Sequence, residues 1–330
     1  QREDRESLAL RRLRQLVRGG VPSVRDMGGD VRTLADLKRR SEIGVISSPD
    51  IYYSVILAGR AFFADPRTVS SAKGRRSGDV DWMRAVNDDT DFDEVVLRAQ
   101  GTGATGLKIY ADVTPTQVEQ VVGAARRHDM PVWSHAYHRA AAPSEIAAAG
   151  VDVMSHAAYL AAEVVDDFYR LHRGGQPLTQ EELDASLQVE RYADLFGRLR
   201  DAGTQLDTTL SVFELRRNLG QPLSARELLH RYSVQMTRWA HERGVPLVAG
   251  TDMASDSAGL PFPALHYELQ LLVEDVGLSP MQALQAATIN AARALALEDE
   301  LGSVAVGKVA NLVVLDADPA ATIANTRTVA

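Results

Sequence analysis

The sequence predicts an α/β fold built on a parallel sheet, and three observations predict it. Amphipathic helical stretches alternate with short apolar runs along most of the chain, and glycines or prolines stand at the joins. The ionisable residues within the apolar runs gather toward their carboxyl ends, at Lys108, His135, His156 and Asp252.

The elements follow in order. ESLALRRLRQLVRGG (6–20) spaces its apolar residues three and four apart and stops on paired glycines, so it reads as a helix leading into a strand over 22–26. Further strands are expected over 52–59, 106–111, 131–136, 152–156, 205–211 and 246–251. The stretches TPTQVEQVVGAARRHD (114–129) and YSVQMTRWAHERG (232–244) are likewise helical patterns, each leading into a short apolar run. Strands joined by helices in this way imply right-handed crossovers. Seven strands fall one short of a (β/α)8 TIM-type barrel, and a doubly wound open sheet suits the count equally. Chemistry at strand carboxyl ends is the habit of barrel enzymes, although open sheets bind ligands there too. The barrel is assigned to residues 1–297. The tail LGSVAVGKVANLVVLDADP has two β-like runs around Gly307, so 298–330 is expected to form a small accessory β-structure.

Composition narrows the partners. With 36 basic and 44 acidic residues, net charge −8, the chain is not expected to bind nucleic acid, and the arginines before Gly19 read as a solvated helix face. It contains no cysteine, which removes disulfides and thiolate metal sites. No apolar run reaches the roughly 18 residues of a membrane span. A small-molecule partner is expected; a homo-oligomer stays open, as does the compartment, with the cytoplasm favoured.

Lys108 is the residue that apolar burial does not explain. It stands inside ATGLKIYAD (104–112), where an ammonium is costly unless paired or neutralised. His135 follows PVWS, His156 follows DVMS and Asp252 follows VAGT, so three donor side chains each close a separate apolar run. Imidazole and carboxylate donors suit zinc or a similar divalent ion. Asp252 could bind metal, act as a base, or cap the helix that follows. Any single histidine here could equally be a hydrogen-bonded structural residue.

The series GLKIY, VWSHA, VMSHAAYL and VAGTD, followed by SPMQALQAATINAARALALEDELGSVAVGKVANLVVLD, resembles the metal-dependent amidohydrolase superfamily, in particular its imidazolonepropionase-like and prolidase-like members. The similarity runs from about residue 10 to 328, and departs in the tail at Asn311, where the family has Asp. The resemblance implies that Lys108 is carboxylated to a metal-bridging carbamate and that His135 and His156 bind the second metal. It implies that Asp252 binds the first metal and shuttles a proton, while a metal-activated hydroxide attacks an amide or ester carbonyl. The substrate class it implies is peptide-like, N-acyl amino acid or cyclic amide. Tyr110, Tyr137, His138 and Tyr159 are candidate substrate contacts, and the stretch 160–187 is a candidate lid.

The family's first strand carries a His-x-His pair, and none of the eight histidines here forms that spacing. The first barrel strand is therefore expected to be missing from the chain as given, either because the chain is a fragment or because the strand has been lost. In that case one ion rather than two would be held. Two readings of a different class stay open: a non-catalytic binding homologue, and a lyase that uses Lys108 as a Schiff-base amine.

Overall fold

A computed structural model describes residues 4–168, 171, 178–217, 221, 223–254 and 259–330. Its sheet is organised around Asp50–Gly59, a ten-residue run in which all but two residues are buried. In chain order the strands are β1 Ser23–Asp26, β2 Asp50–Gly59, β3 Asp79–Val80, β4 Met83–Val86, β5 Gly106–Ile109, β6 Val132–His135, β7 Val153–Ser155, β8 Gln205–Asp207 and β9 Leu247–Val248. From β2 the ladder runs β5, β6, β7, β8, β9, every pair parallel. Sequential parallel neighbours joined by helices are the wiring of a TIM-type barrel. Among the described residues no ladder joins β9 to β1, so the barrel is not closed by hydrogen bonds.

The structure adds two strands to the expected seven. β4 pairs in parallel with Ile56–Gly59 of β2, and β3 turns back on it antiparallel. β1 pairs with Asp50–Tyr53 further down β2. The amides of Asp50 and Ile56 bond Pro22 and Trp82 respectively, and residues of equal parity point to one side of a strand, so β1 and β4 share one edge of β2. The segment DVDWMRAV (79–86) mixes charge with apolar residues over pieces of two and four, too short for periodicity to reveal. The strand expected over 205–211 ends at Asp207, because Thr209 adopts a left-handed backbone (φ 51°) and Leu210–Glu214 is helical.

The tail differs from expectation. Within 298–330 the described structure holds a single antiparallel bridge, Leu315 to Val329, and Val304, Val306, Val309, Leu312, Val313 and Val314 are exposed. A β-like run needs a neighbouring strand for its backbone bonds, and among the described residues that pairing is limited to 314–316 against 328–330, where the Asp316 and Ala330 amides bond the Thr328 and Val314 carbonyls. Asn311 donates to Asp50 Oδ2 at 2.7 Å, a bond that a carboxylate at 311 could not make. The candidate lid over 160–187 falls partly outside the described residues; Ala157–Glu163 and Gln180–Ser186 are short helical pieces.

Side-chain alternation fixes which residues meet inside the barrel. Gly106 and Lys108 of β5 share a face, as do Trp133 and His135 of β6, and Trp133 packs with Val153 and Val248 in a buried cluster. A Cβ on Gly106 would lie 2.6 Å from the Trp133 indole, so glycine is required by close approach. The indole is itself held, donating to the Ala294 carbonyl at 2.7 Å. Gly106→Ala should therefore destabilise the fold by about 1–3 kcal/mol, read as a lowered urea midpoint with unchanged denaturant slope; a neutral result would mean the indole has room to move.

Candidate active site

Below the strand ends lies a chain of buried polar groups drawn from four strands. Lys108 Nζ donates to Ser155 Oγ at 3.1 Å, and Ser155 Oγ donates to Asp207 Oδ2 at 3.1 Å. Arg25 Nη2 reaches the same oxygen at 2.9 Å, with its guanidinium stacked 4.7 Å over Trp133. A Cβ on Gly250 would lie 1.9 Å from Asp207 Oδ1, so only glycine leaves room for this carboxylate. Lys108 is 1 % exposed. Burial is the main force on its amine, Asp207 and Asp252 oppose it, Arg25 reinforces it, and the outcome is a pKa lowered to about 7. Near neutrality a substantial fraction of Lys108 is thus the free amine, which is nucleophilic where the ammonium is not.

Above this floor the two histidines stand together. The rings of His135 and His156 are 4.6 Å apart, with Tyr110 stacked 4.4 Å from His135 and Tyr159 5.1 Å from His156. His156 Nδ1 meets Thr209 Oγ1 at 3.0 Å. The Tyr110 hydroxyl donates to the Met27 carbonyl at 3.1 Å. Burial raises the pKa of both Tyr110 and Tyr159, with the Asp252 charge adding to it, so both phenols stay protonated. Asp252 lines the cavity and is exposed to it. Burial raises its carboxyl pKa, opposed by Lys108, Arg216 and Arg67.

The backbone at the rim is strained. His156 (φ 75°), Thr209 (φ 51°) and Asp252 (φ 50°) all lie in the left-handed region, where a branched residue such as Thr is a marked outlier. Such residues persist where surrounding contacts over-determine them, and they gather at functional sites.

Lys108, His135, His156, Asp252, Tyr110, Tyr137 and Tyr159 all line one cavity of about 1760 Å³, which continues toward the unjoined side of the barrel beside β1. His138 does not belong with them. It is fully buried, bonds Ser134 Oγ at 2.9 Å and has its pKa lowered to about 3 by burial, so the expected substrate contact is a packing residue. The sequence reading missed Arg25, Ser155, Asp207 and Thr209. Arg25 inside VPSVRD carried the same signal as Lys108, a charge within an apolar run, and Asp207 would have been found had the strand been ended correctly.

Residues 2–329 match the family described as Amidohydrolase family. The chain belongs to the amidohydrolase family. Imidazolonepropionase of Symbiobacterium thermophilum is 42 % identical over 74 residues, 22 % of this chain and 17 % of the relative. Imidazolonepropionase of Klebsiella pneumoniae is 30 % identical over 120 residues, 36 % of this chain and 26 % of the relative. The matches thus span about a quarter or less of these curated relatives. A Xaa-Pro dipeptidase with bound methionine shares the fold at TM-score 0.70 and 23 % identity, covering 99 % of this chain and 78 % of its own. The A. niger ochratoxinase gives 0.73 at 19 %, covering 97 % and 72 %. Both solved structures share the TIM-type architecture with this amidohydrolase.

The depressed Lys108 pKa has a thermodynamic sign. Between about 7 and the ordinary lysine value of 10.5 the unfolded chain binds a proton at this residue that the folded chain does not, so folding stability rises with pH across that window. The metal-free protein, followed by urea unfolding from pH 6 to 9, should gain stability relative to Lys108→Met as pH increases. Parallel pH curves for the two would show that Lys108 keeps its charge when buried.

Proposed function

We propose that the chain is a metal-dependent hydrolase of C–N bonds acting on a small amide, peptide-like, N-acyl amino acid or cyclic, with esters as chemically related substrates. The observation that carries the reading is the convergence of Lys108, His135, His156 and Asp252 on one cavity. Among the described residues no three His, Asp or Glu side chains form a metal cluster by themselves. The donors present still fit one divalent ion: two neighbouring imidazoles, and Lys108, which gains oxygen donors on carboxylation. Zinc suits that mixed nitrogen and oxygen set. Such an ion would polarise the scissile carbonyl and activate a water.

The chain's own groups have separable tasks. Asp252, facing the cavity with its pKa raised, can take a proton on attack and hand it to the leaving amine, the work of a general acid–base. Ser155 and Asp207 hold the Lys108 side chain from below. Tyr110, Tyr137 and Tyr159, backed by Phe168 and Phe213, offer an aromatic wall for an apolar substrate group. The names of the relatives, imidazolonepropionase and Xaa-Pro dipeptidase, support an amide or cyclic-amide substrate.

One observation favours a second reading. A buried lysine with pKa near 7 is also what a Schiff-base lyase needs, so Lys108 could act as an amine toward a carbonyl substrate. Borohydride trapping separates the two, because a carbamate cannot be trapped in that way.

With zinc and bicarbonate supplied, and a panel of dipeptides and N-acyl amino acids as substrates, Asp252→Asn should lower kcat by about 10²–10⁴-fold with little change in KM. Labelled bicarbonate should give a carbamate carbon signal that Lys108→Met abolishes. Zinc-free protein after metal loading, together with an unmodified Lys108, would overturn the hydrolase reading.

A further inference from the structure

One buried carboxylate stands beside the site without lining the cavity. Glu268, on the helix Ala264–Leu271, is fully buried, and its oxygens receive three bonds from one short turn. Oε1 accepts from Thr208 Oγ1 at 2.6 Å and from the Leu210 amide at 2.8 Å, while Oε2 accepts from the Ser211 amide at 2.7 Å. The bonds thus clamp the chain on both sides of Thr209.

That arrangement explains an anomaly at Thr209. By position it caps the helix Leu210–Glu214, and a capping threonine ordinarily accepts a bond from a first-turn amide with its own hydroxyl. Here it makes no such bond. Glu268 accepts the amides of Leu210 and Ser211 instead, and the Thr209 hydroxyl is turned to His156 Nδ1 at 3.0 Å. A branched residue at φ 51° would relax if it were not held, and the clamp is what holds it.

We propose that Glu268 is a positioning residue for His156: by capping the 210–214 helix from a neighbouring element, it leaves the Thr209 hydroxyl to accept Nδ1–H of His156 and so fixes the orientation and tautomer of the imidazole. The ring's orientation follows from this geometry, while the direction of the bond, which a threonine hydroxyl can make either way, is what the labelling test reads; the consequence for metal binding rests on the proposed function.

The test uses the full chain, metal-free and labelled with ¹⁵N-histidine, with His156 assigned by loss of its signals in His156→Asn. Wild type and Thr209→Ser should show the Nδ1–H form, whereas Thr209→Val and Glu268→Gln should both shift His156 toward Nε2–H or a mixture. Thr208→Val removes one of the three bonds and should give a partial shift, which keeps the test decisive should Glu268→Gln fold poorly. A wild-type tautomer in Glu268→Gln or Thr208→Val, with only the thermal midpoint lowered, would reduce Glu268 to a structural residue and overturn the proposal. In a separate titration, zinc should bind about 10-fold more weakly to Thr209→Val and Glu268→Gln, and the double variant should be no worse than the weaker single one. Additive losses would also overturn the coupling. Absence of zinc binding in wild type would count against the hydrolase reading, while the tautomer result would still decide the role of Glu268.

Discussion

The bond between Asp207 and Arg25, with Ser155 and Lys108 hung from the same carboxylate, is the constraint on which the rest of the site depends. It ties β1 to β8 across the barrel interior and sets the height at which Lys108 enters the cavity. Burying four polar groups is expensive, and it is offset only where each finds partners. Here the balance is incomplete, since Arg25 Nη1 and Asp207 Oδ1 have no hydrogen-bond partner among the described residues. An unsatisfied buried polar atom costs about 1–3 kcal/mol, so an apolar floor would be the more stable choice. Retaining charge at such a position points to function, where local rules are expected to be broken.

The neighbouring residues accommodate that constraint. Gly250 is bare because Asp207 occupies the space of its Cβ, and Gly106 is bare because Trp133, the platform beneath Arg25, occupies the space of its own. His156, Thr209 and Asp252 take left-handed backbones in the segments that follow β7, β8 and β9. Backbone strain, missing side chains and unpaired charge thus concentrate in a few residues. The outer helices, by contrast, obey local rules, with Thr114 and Gln117 or Ser279 and Gln282 forming reciprocal caps.

What the sequence revealed follows from which signals are local. The βα alternation, the glycines that end helices, and the placing of Lys108, His135, His156 and Asp252 toward the strand ends are all written within a few residues, and each was legible. β3 and β4 were not, because a strand of two residues has no period. The true end of β8 was hidden because TTLSV (208–212) has the branched composition of a strand, whereas tertiary bonds from Glu268, far along the chain, bend it into a turn. His138 was misjudged for the same reason: its neighbourhood is set by Ser134 and by a bridge to Ala141, and nothing in VWSHAYHR separates a buried histidine from a lining one.

The charges around Lys108 also link the two modifications that the proposed function requires. As a free amine, Lys108 is compatible with its surroundings, because Ser155 lies within bonding distance and Asp207 sits just beyond. Carboxylation would replace that amine with an anion close to Asp207 and Asp252, both of which interact electrostatically with Lys108. Three negative groups around one cavity, with Arg25 on the floor and Arg67 and Arg216 acting on Asp252 from the rim, would gain from a further cation. A divalent ion on His135 and His156 would reverse that balance and hold the carbamate in place. Lysine carboxylation and metal binding should therefore be strongly coupled in this chain, each raising the affinity for the other. Under the proposed function the Arg25 and Asp207 pair would contribute to that coupling, because Arg25 balances one carboxylate before any cation binds.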